Sequence, residues 1–146
     1  MKKVVLKEYD NYPYQVEVGV RVTDLHYQKH LSYDRLVAMT QHVRAKMLEY
    51  MGVSEMDMGD GVAAPMVPDL QVVMQGEALL GDRLIFETGI CEIGNASFRI
   101  AHRVKKPDDT PIAMIEISIV TFDYKNRKAV PLPETLKKGL EKIRTS

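Results

Sequence analysis

The stretch Thr23-Asp24-Leu25-His26-Tyr27-Gln28-Lys29-His30-Leu31-Ser32-Tyr33 sets an acid and two imidazoles between two segments of opposite periodicity. Before it, Tyr14, Val16, Val18, Val20 and Val22 alternate with Gln15, Glu17, Gly19, Arg21 and Thr23, the period of a half-buried strand. After it, Tyr33, Leu36, Val37, Thr40, Val43, Met47, Leu48 and Met51 recur at spacings of three and four, the stripe of a helix covered on one face. Ser32 occupies the N-cap position, Asp34 puts negative charge in the first turn, and Gly52 follows the last periodic residue, so a helix is expected over about 32 to 51. A helix start offers unpaired N–H groups and partial positive charge, which suits an anion or a polarised carbonyl oxygen. The chemistry-bearing stretch therefore leads into a helix N-terminus.

Outward from that centre the chain reads as strands and turns. Residues 1 to 12 are polar and irregular and end in the turn-like Asp10-Asn11-Tyr12-Pro13. Beyond Gly52, the glycine- and acid-rich 54–61 segment is expected to be a loop with one helical turn at most, and its Met56 and Met58 either lie over a ligand or fill gaps. Leu70, Val72 and Met74 mark one strand, Leu84, Phe86, Thr88 and Ile90 the next. Gly94-Asn95-Ala96 turns tightly into a strand carrying Phe98, Ile100, His102 and Val104. Lys106 to Thr110 is a turn before the β-branched run Ile112 to Phe122, and a short amphipathic helix follows Pro133, from Glu134 to Ile143. The expected order is one strand, one long helix, then four consecutive hairpin-connected strands. That is an α+β pattern in which an antiparallel sheet wraps a helix, as one domain over residues 1–146.

Composition removes several function classes. A chain of 146 residues, 45% hydrophobic, can bury one sizeable core. Twenty basic and twenty acidic residues give no formal net charge, so the basic field of a nucleic-acid binder is missing. Cys91 is the single cysteine and has no zinc-like spacing around it, which fits a reducing cytoplasm. Near Met1 the apolar run Val4-Val5-Leu6 ends at Lys7, so neither a signal peptide nor a membrane span is expected.

The run Asp24 to Tyr33 resembles the pattern Asp-Leu-Asp-x-x-x-His-Val-Asn-Asn that precedes the central helix of hotdog-fold acyl thioesterases, with the Asp24 to His30 spacing matched without a gap. Glu77-Ala78-Leu79-Leu80-Gly81-Asp82-Arg83-Leu84 looks like the family's Gly-Asp turn, Asn126 to Pro133 like its closing turn, and Arg44 falls where the long helix commonly carries an arginine. The resemblance implies a hotdog fold, a homodimer or homotetramer with a tunnel along the subunit interface, and hydrolysis of acyl-CoA or acyl-carrier-protein thioesters with no cofactor. His26 stands where the family has its second acid, and Ser32 and Tyr33 replace its paired asparagines. An imidazole can act as a general base but cannot form the covalent anhydride open to a carboxylate.

Four residues are therefore candidates for catalysis. His26 would be the base, the backbone N–H at Tyr33 the oxyanion donor, and His30 either a catalytic group or a brace for the loop. Asp24 would orient one imidazole, serve as base itself, or cap a turn. Metal ligation by Asp24, His26 and His30 lacks a supporting His or Cys, and no metal is expected. Arg99, Arg103 and Lys105 alternate onto one strand face, a basic row able to grip the phosphates of coenzyme A or simply to face solvent. Asp69 is a reserve base, His42 a solvated residue, His102 a hydrogen-bonded core histidine. The expected function is an acyl-CoA thioesterase acting on a small or medium, possibly aromatic, acyl group. The alternatives are a non-catalytic acyl-CoA sensing module and a hotdog hydratase, whose Asp-x-x-x-x-His spacing is not met.

Overall fold

The computed structural model describes all 146 residues. In chain order the elements are β1 (Tyr14–Gly19), α1 (Tyr33–Tyr50), β2 (Ala63–Met66), β3 (Leu70–Met74), β4 (Arg83–Ile93), β5 (Ser97–Lys105), β6 (Pro111–Asp123), β7 (Lys128–Ala129) and α2 (Glu134–Lys142). The strands form one antiparallel sheet ordered β1-β4-β5-β6-β2, with β3 and β7 also paired to β6.

Register explains the core. Phe86, Thr88 and Ile90 of β4 stand opposite Val104, His102 and Ile100 of β5, which in turn stand opposite Ala113, Ile115 and Ile117 of β6. These side chains share one face by the two-residue alternation of strands, and all of them are buried. Against that face α1 buries Leu36, Val43, Met47 and Leu48, joining sheet and helix in one hydrophobic cluster. This is the hotdog arrangement, a sheet curled around a central helix. No helix is long and apolar enough to cross a membrane.

Three expectations about elements need correction. The first strand ends at Gly19, and a short 3-10 helix, Val22–Asp24, follows it. Val22 continues the alternation in sequence but is exposed. Secondly, β3 does not form a hairpin with β4. It crosses to pair with β6, in register Leu70↔Ile117 through Met74↔Ala113, beside a strand, β2, that sequence periodicity did not mark. Thirdly, the 54–61 loop contains no helical turn. The Asp57 carboxylate accepts from the N–H groups of Gly59 and Gly61, and Asp60 from those of Val62 and Ala63. Met58 is fully buried while Met56 is exposed.

Candidate active site

The segment 24–33 is held from both sides. Leu25 and Leu31 form a bridge, and inside it the N–H of His26 donates to the His30 carbonyl at 2.9 Å, while that of Lys29 donates to the His26 carbonyl at 2.8 Å. Lys29 takes a left-handed conformation, φ 65°, to close this miniature hairpin. On one flank the Ser32 N–H donates to the carbonyl of Asp24 at 3.2 Å; on the other the Leu31 N–H donates to that of Ala78 at 2.8 Å, and His30 bridges Leu79. The Gly-Asp turn before β4 thus buttresses the loop that delivers the chain into α1.

Ser32 is at the N-cap position, yet its hydroxyl makes no capping bond; its carbonyl accepts the first helical N–H, from Leu36 at 3.0 Å. The Tyr33 N–H has no acceptor in the protein. Asp34 stands in the same first turn, and the Ser32 hydroxyl beside it holds its carboxyl below the usual carboxylate range. The unpaired donor and the helix dipole together make this turn receptive to developing negative charge.

The two imidazoles and Asp24 are close in sequence but are not joined by their side chains. Asp24 is 3% exposed, and its Oδ2 accepts from the Arg21 N–H at 2.8 Å and from Arg21 Nε at 3.4 Å. Neither imidazole bonds that carboxylate; its Oδ2 braces the turn at residue 21 in place of the expected Asp-to-His contact. Asp24 also lines a cleft of 320 Å³ between β1 and α1, with Arg21, Arg35 and His42 at its rim. His26 is exposed and stacks on Tyr27 with ring centroids 4.2 Å apart. His30 is half-buried, with Nδ1 3.2 Å from the Leu31 carbonyl. A contact to a carbonyl puts the proton on Nδ1 and leaves Nε2 as the free nitrogen.

The basic row on β5 does not stand free. Arg99 lies 3.3 Å from Asp69 and 3.6 Å from Glu116; Arg103 pairs with Glu87 at 2.9 Å and Glu8 at 2.7 Å; Lys105 pairs with Asp109 at 2.7 Å and Glu87 at 3.3 Å. These residues alternate with Ile100, His102 and Val104, so they occupy the sheet face turned away from α1. Acids remote in sequence converge on this row, which the sequence reads either as a phosphate grip or as a solvent-facing surface. Asp69 is engaged by Ser118 Oγ at 3.0 Å as well as by Arg99. Burial raises the Cys91 thiol above its ordinary range, which leaves it a poor nucleophile.

Sequence reasoning passed over a second feature, a groove of 220 Å³ beginning one turn into α1, lined by Val37, Thr40, Gln41 and Arg44 and closed by Leu70 and Ile117. Only the family position of Arg44 hinted at it.

A family model of the thioesterase-like superfamily matches residues 20–140, most of the chain. The chain belongs to the thioesterase-like superfamily. Among solved structures, this superfamily member is similar to Slr0204, a 1,4-dihydroxy-2-naphthoyl-CoA thioesterase from Synechocystis, with 17% identity, TM-score 0.79, and 86% of this chain and 93% of that one covered. It is also similar to YbaW, a probable thioesterase from Escherichia coli, with 20% identity, TM-score 0.72, and 88% and 97% covered. The hypothetical protein SAV2348 from Staphylococcus aureus in complex with CoA shares 13% identity at TM-score 0.82, with 99% and 91% covered. At these identities the likeness is one of fold. No curated protein matches the sequence.

Proposed function

We propose that this thioesterase-like protein hydrolyses a small or medium acyl-CoA thioester, with an aromatic acyl group within its range. The observation that carries the reading is the acceptorless Tyr33 N–H at the start of an 18-residue helix, set beside a loop with two imidazoles. Superfamily membership, a neighbour that is a CoA thioesterase and another in complex with CoA support the substrate class.

The chemistry follows from these groups. The thioester carbonyl oxygen accepts from the Tyr33 N–H, where one such donor is worth on the order of 3 kcal/mol in acyl transfer. His26, whose imidazole has no hydrogen bond in the protein, takes a proton from water as the oxygen attacks the carbonyl carbon. Collapse of the tetrahedral intermediate breaks the C–S bond, and the imidazolium returns the proton to the departing thiolate, giving acid and free thiol. Positioned acid–base catalysis of this kind contributes roughly 10²–10⁴-fold. His30 braces the loop and offers Nε2 as a second base, and Asp24 positions the loop through its carbonyl and carboxylate. Arg99, Arg103 and Lys105 would meet CoA phosphates only by exchanging exposed acids such as Glu8 and Asp109.

The working unit in this reading is a single hotdog domain assembled as a cytoplasmic homodimer or homotetramer. The β2–β3 edge supports this, since Val67, Leu70 and Met74 are exposed there and an apolar sheet edge calls for cover. The test is thiol release from a panel of acyl-CoAs by wild type, His26→Ala and Asp24→Ala. A fall of at least a hundredfold in folded His26→Ala supports the assignment. Turnover unaffected by that change removes His26 as base; tight acyl-CoA binding without turnover favours the sensing module.

A further inference from the structure

A mostly buried arginine whose guanidinium faces an apolar groove is placed to meet a polar group inside that groove. Arg44 is 8% exposed. Its Nε donates to Glu55 Oε1 at 2.8 Å, and its two terminal nitrogens make no hydrogen bond within the protein and keep contact with solvent in the groove. Arg44 lines the 220 Å³ groove whose other walls include Val37, Leu70 and Ile117. The Thr40 hydroxyl in the same groove donates to the Val37 carbonyl at 2.5 Å and makes no bond to Arg44.

The position of the groove gives this arginine its meaning. Tyr33, Val37, Gln41 and Arg44 follow one another at spacings of four, four and three, so they lie along one side of α1. The oxyanion donor proposed above is at the top of that stripe, and the guanidinium is eleven residues down it, roughly 16 Å at the helical rise. An acyl group laid along this side of α1 from Tyr33 would pass Val37 and reach Arg44.

We infer that Arg44 is a specificity-determining residue that selects acyl groups bearing an acceptor oxygen at their distal end, a hydroxyl, oxo or carboxylate group. This rests on the proposed thioesterase reading. The guanidinium fork presents its unused donors in a fixed plane, and a substrate without an acceptor leaves them desolvated and unpaired. Discrimination of this kind is strong because an unpaired buried donor is costly, whereas an extra methylene changes little. Glu55 already balances the charge of Arg44, so neutral hydroxyl and oxo groups are accepted at least as well as a carboxylate.

The experiment compares kcat/KM of the wild type for acyl-CoAs of matched length with and without a terminal hydroxyl, oxo or carboxylate, followed by Arg44→Gln and Arg44→Lys. The expected result is a preference of about ten- to a hundredfold for the oxygenated substrates, a charged hydrogen bond's worth at tenfold per 1.4 kcal/mol. In both variants that ratio collapses toward one. Thermal melting and sedimentation accompany each variant. Equal rates for matched pairs in the wild type overturn the inference without needing any variant. So does a uniform loss across all substrates accompanied by dissociation of the oligomer, which would make the groove a seam between copies of the chain. Absence of turnover on every thioester would instead sink the thioesterase reading itself.

Discussion

The carbonyl of Asp24 accepts the Ser32 N–H at 3.2 Å, while the carboxylate of the same residue accepts the Arg21 N–H at 2.8 Å. One buried acid thereby ties the end of the strand-side turn to the start of the central helix, and the loop between Asp24 and Ser32 is spanned between those two attachments. Asp24→Ala removes the acceptor of the Arg21 N–H and is expected to cost about 1–3 kcal/mol. Asp24→Asn keeps an acceptor oxygen and should cost less. Urea unfolding of the three proteins checks this, and equal midpoints for wild type and Asp24→Ala would refute the brace.

His102 should make the fold acid-sensitive. Its Nδ1 lies 2.9 Å from Thr88 Oγ1, its Nε2 has no partner, and burial, aided by the Arg44 charge, pulls its pKa down to about 3. The unfolded chain takes up this proton near pH 6.5, the folded one only near 3, so between these values the unfolded state holds more protons. The stability is whole above pH 6.5 and falls as pH drops toward 3, by up to about 1.4 kcal/mol per unit. Stability of wild type and His102→Leu, followed from pH 7 to 4, should show a shallower slope in the variant. Parallel slopes would contradict the assignment.

Glu87 is the acid at the centre of the outer charge network. Burial works against its charged form, but Arg103 and then Lys105 outweigh it and hold its carboxyl below the usual range. Its stabilising effect is therefore present above the unfolded carboxylate pKa and is lost as pH falls through the lowered folded one. Glu87→Gln should cost about 1–3 kcal/mol at pH 7 and little at acid pH. By contrast, Arg83→Ala, which breaks the exposed Arg83–Glu17 pair, should cost less than Glu87→Gln. Chemical denaturation of both variants at pH 7 ranks them, and the reverse order would be inconsistent with this account.

Gly76 passes against the Pro111 carbonyl so closely that a Cβ there would collide with the oxygen. This is where β3 leaves β6 to turn toward β4, held by bonds from Gln75 and Gly76 N–H to the Ile112 carbonyl. Gly76→Ala should destabilise by about 1–3 kcal/mol, read from the unfolding midpoint. An unchanged midpoint would mean the crossing strand yields without cost.

Much of this was legible along the chain, and the parts that were share a physical cause. The helix 33–50 and the β4–β5 hairpin declare themselves because their partners are a few residues away: a 3.6-residue stripe, Gly52 at φ 81°, a three-residue turn. The acceptorless N–H at Tyr33 follows from the helix start itself, whatever side chains surround it. Alternation placed His102 in the core and put Arg99, Arg103 and Lys105 on the opposite face.

What the sequence could not decide depends on distant partners. Nothing in Leu70 to Met74 says that they pair with residues 113–117 in preference to the strand that follows, because any apolar edge of matching length satisfies the same alternation. The cations of β5 look free until Glu8, Glu87 and Asp109 are brought around them, and Asp24 looks like a partner for His26 until the turn directs it to Arg21. Local periodicity determined the elements and the helix-start donor. Only the folding of remote segments onto one another decided which charges are satisfied, which way the acid faces, and that a buried arginine lines a groove beside α1.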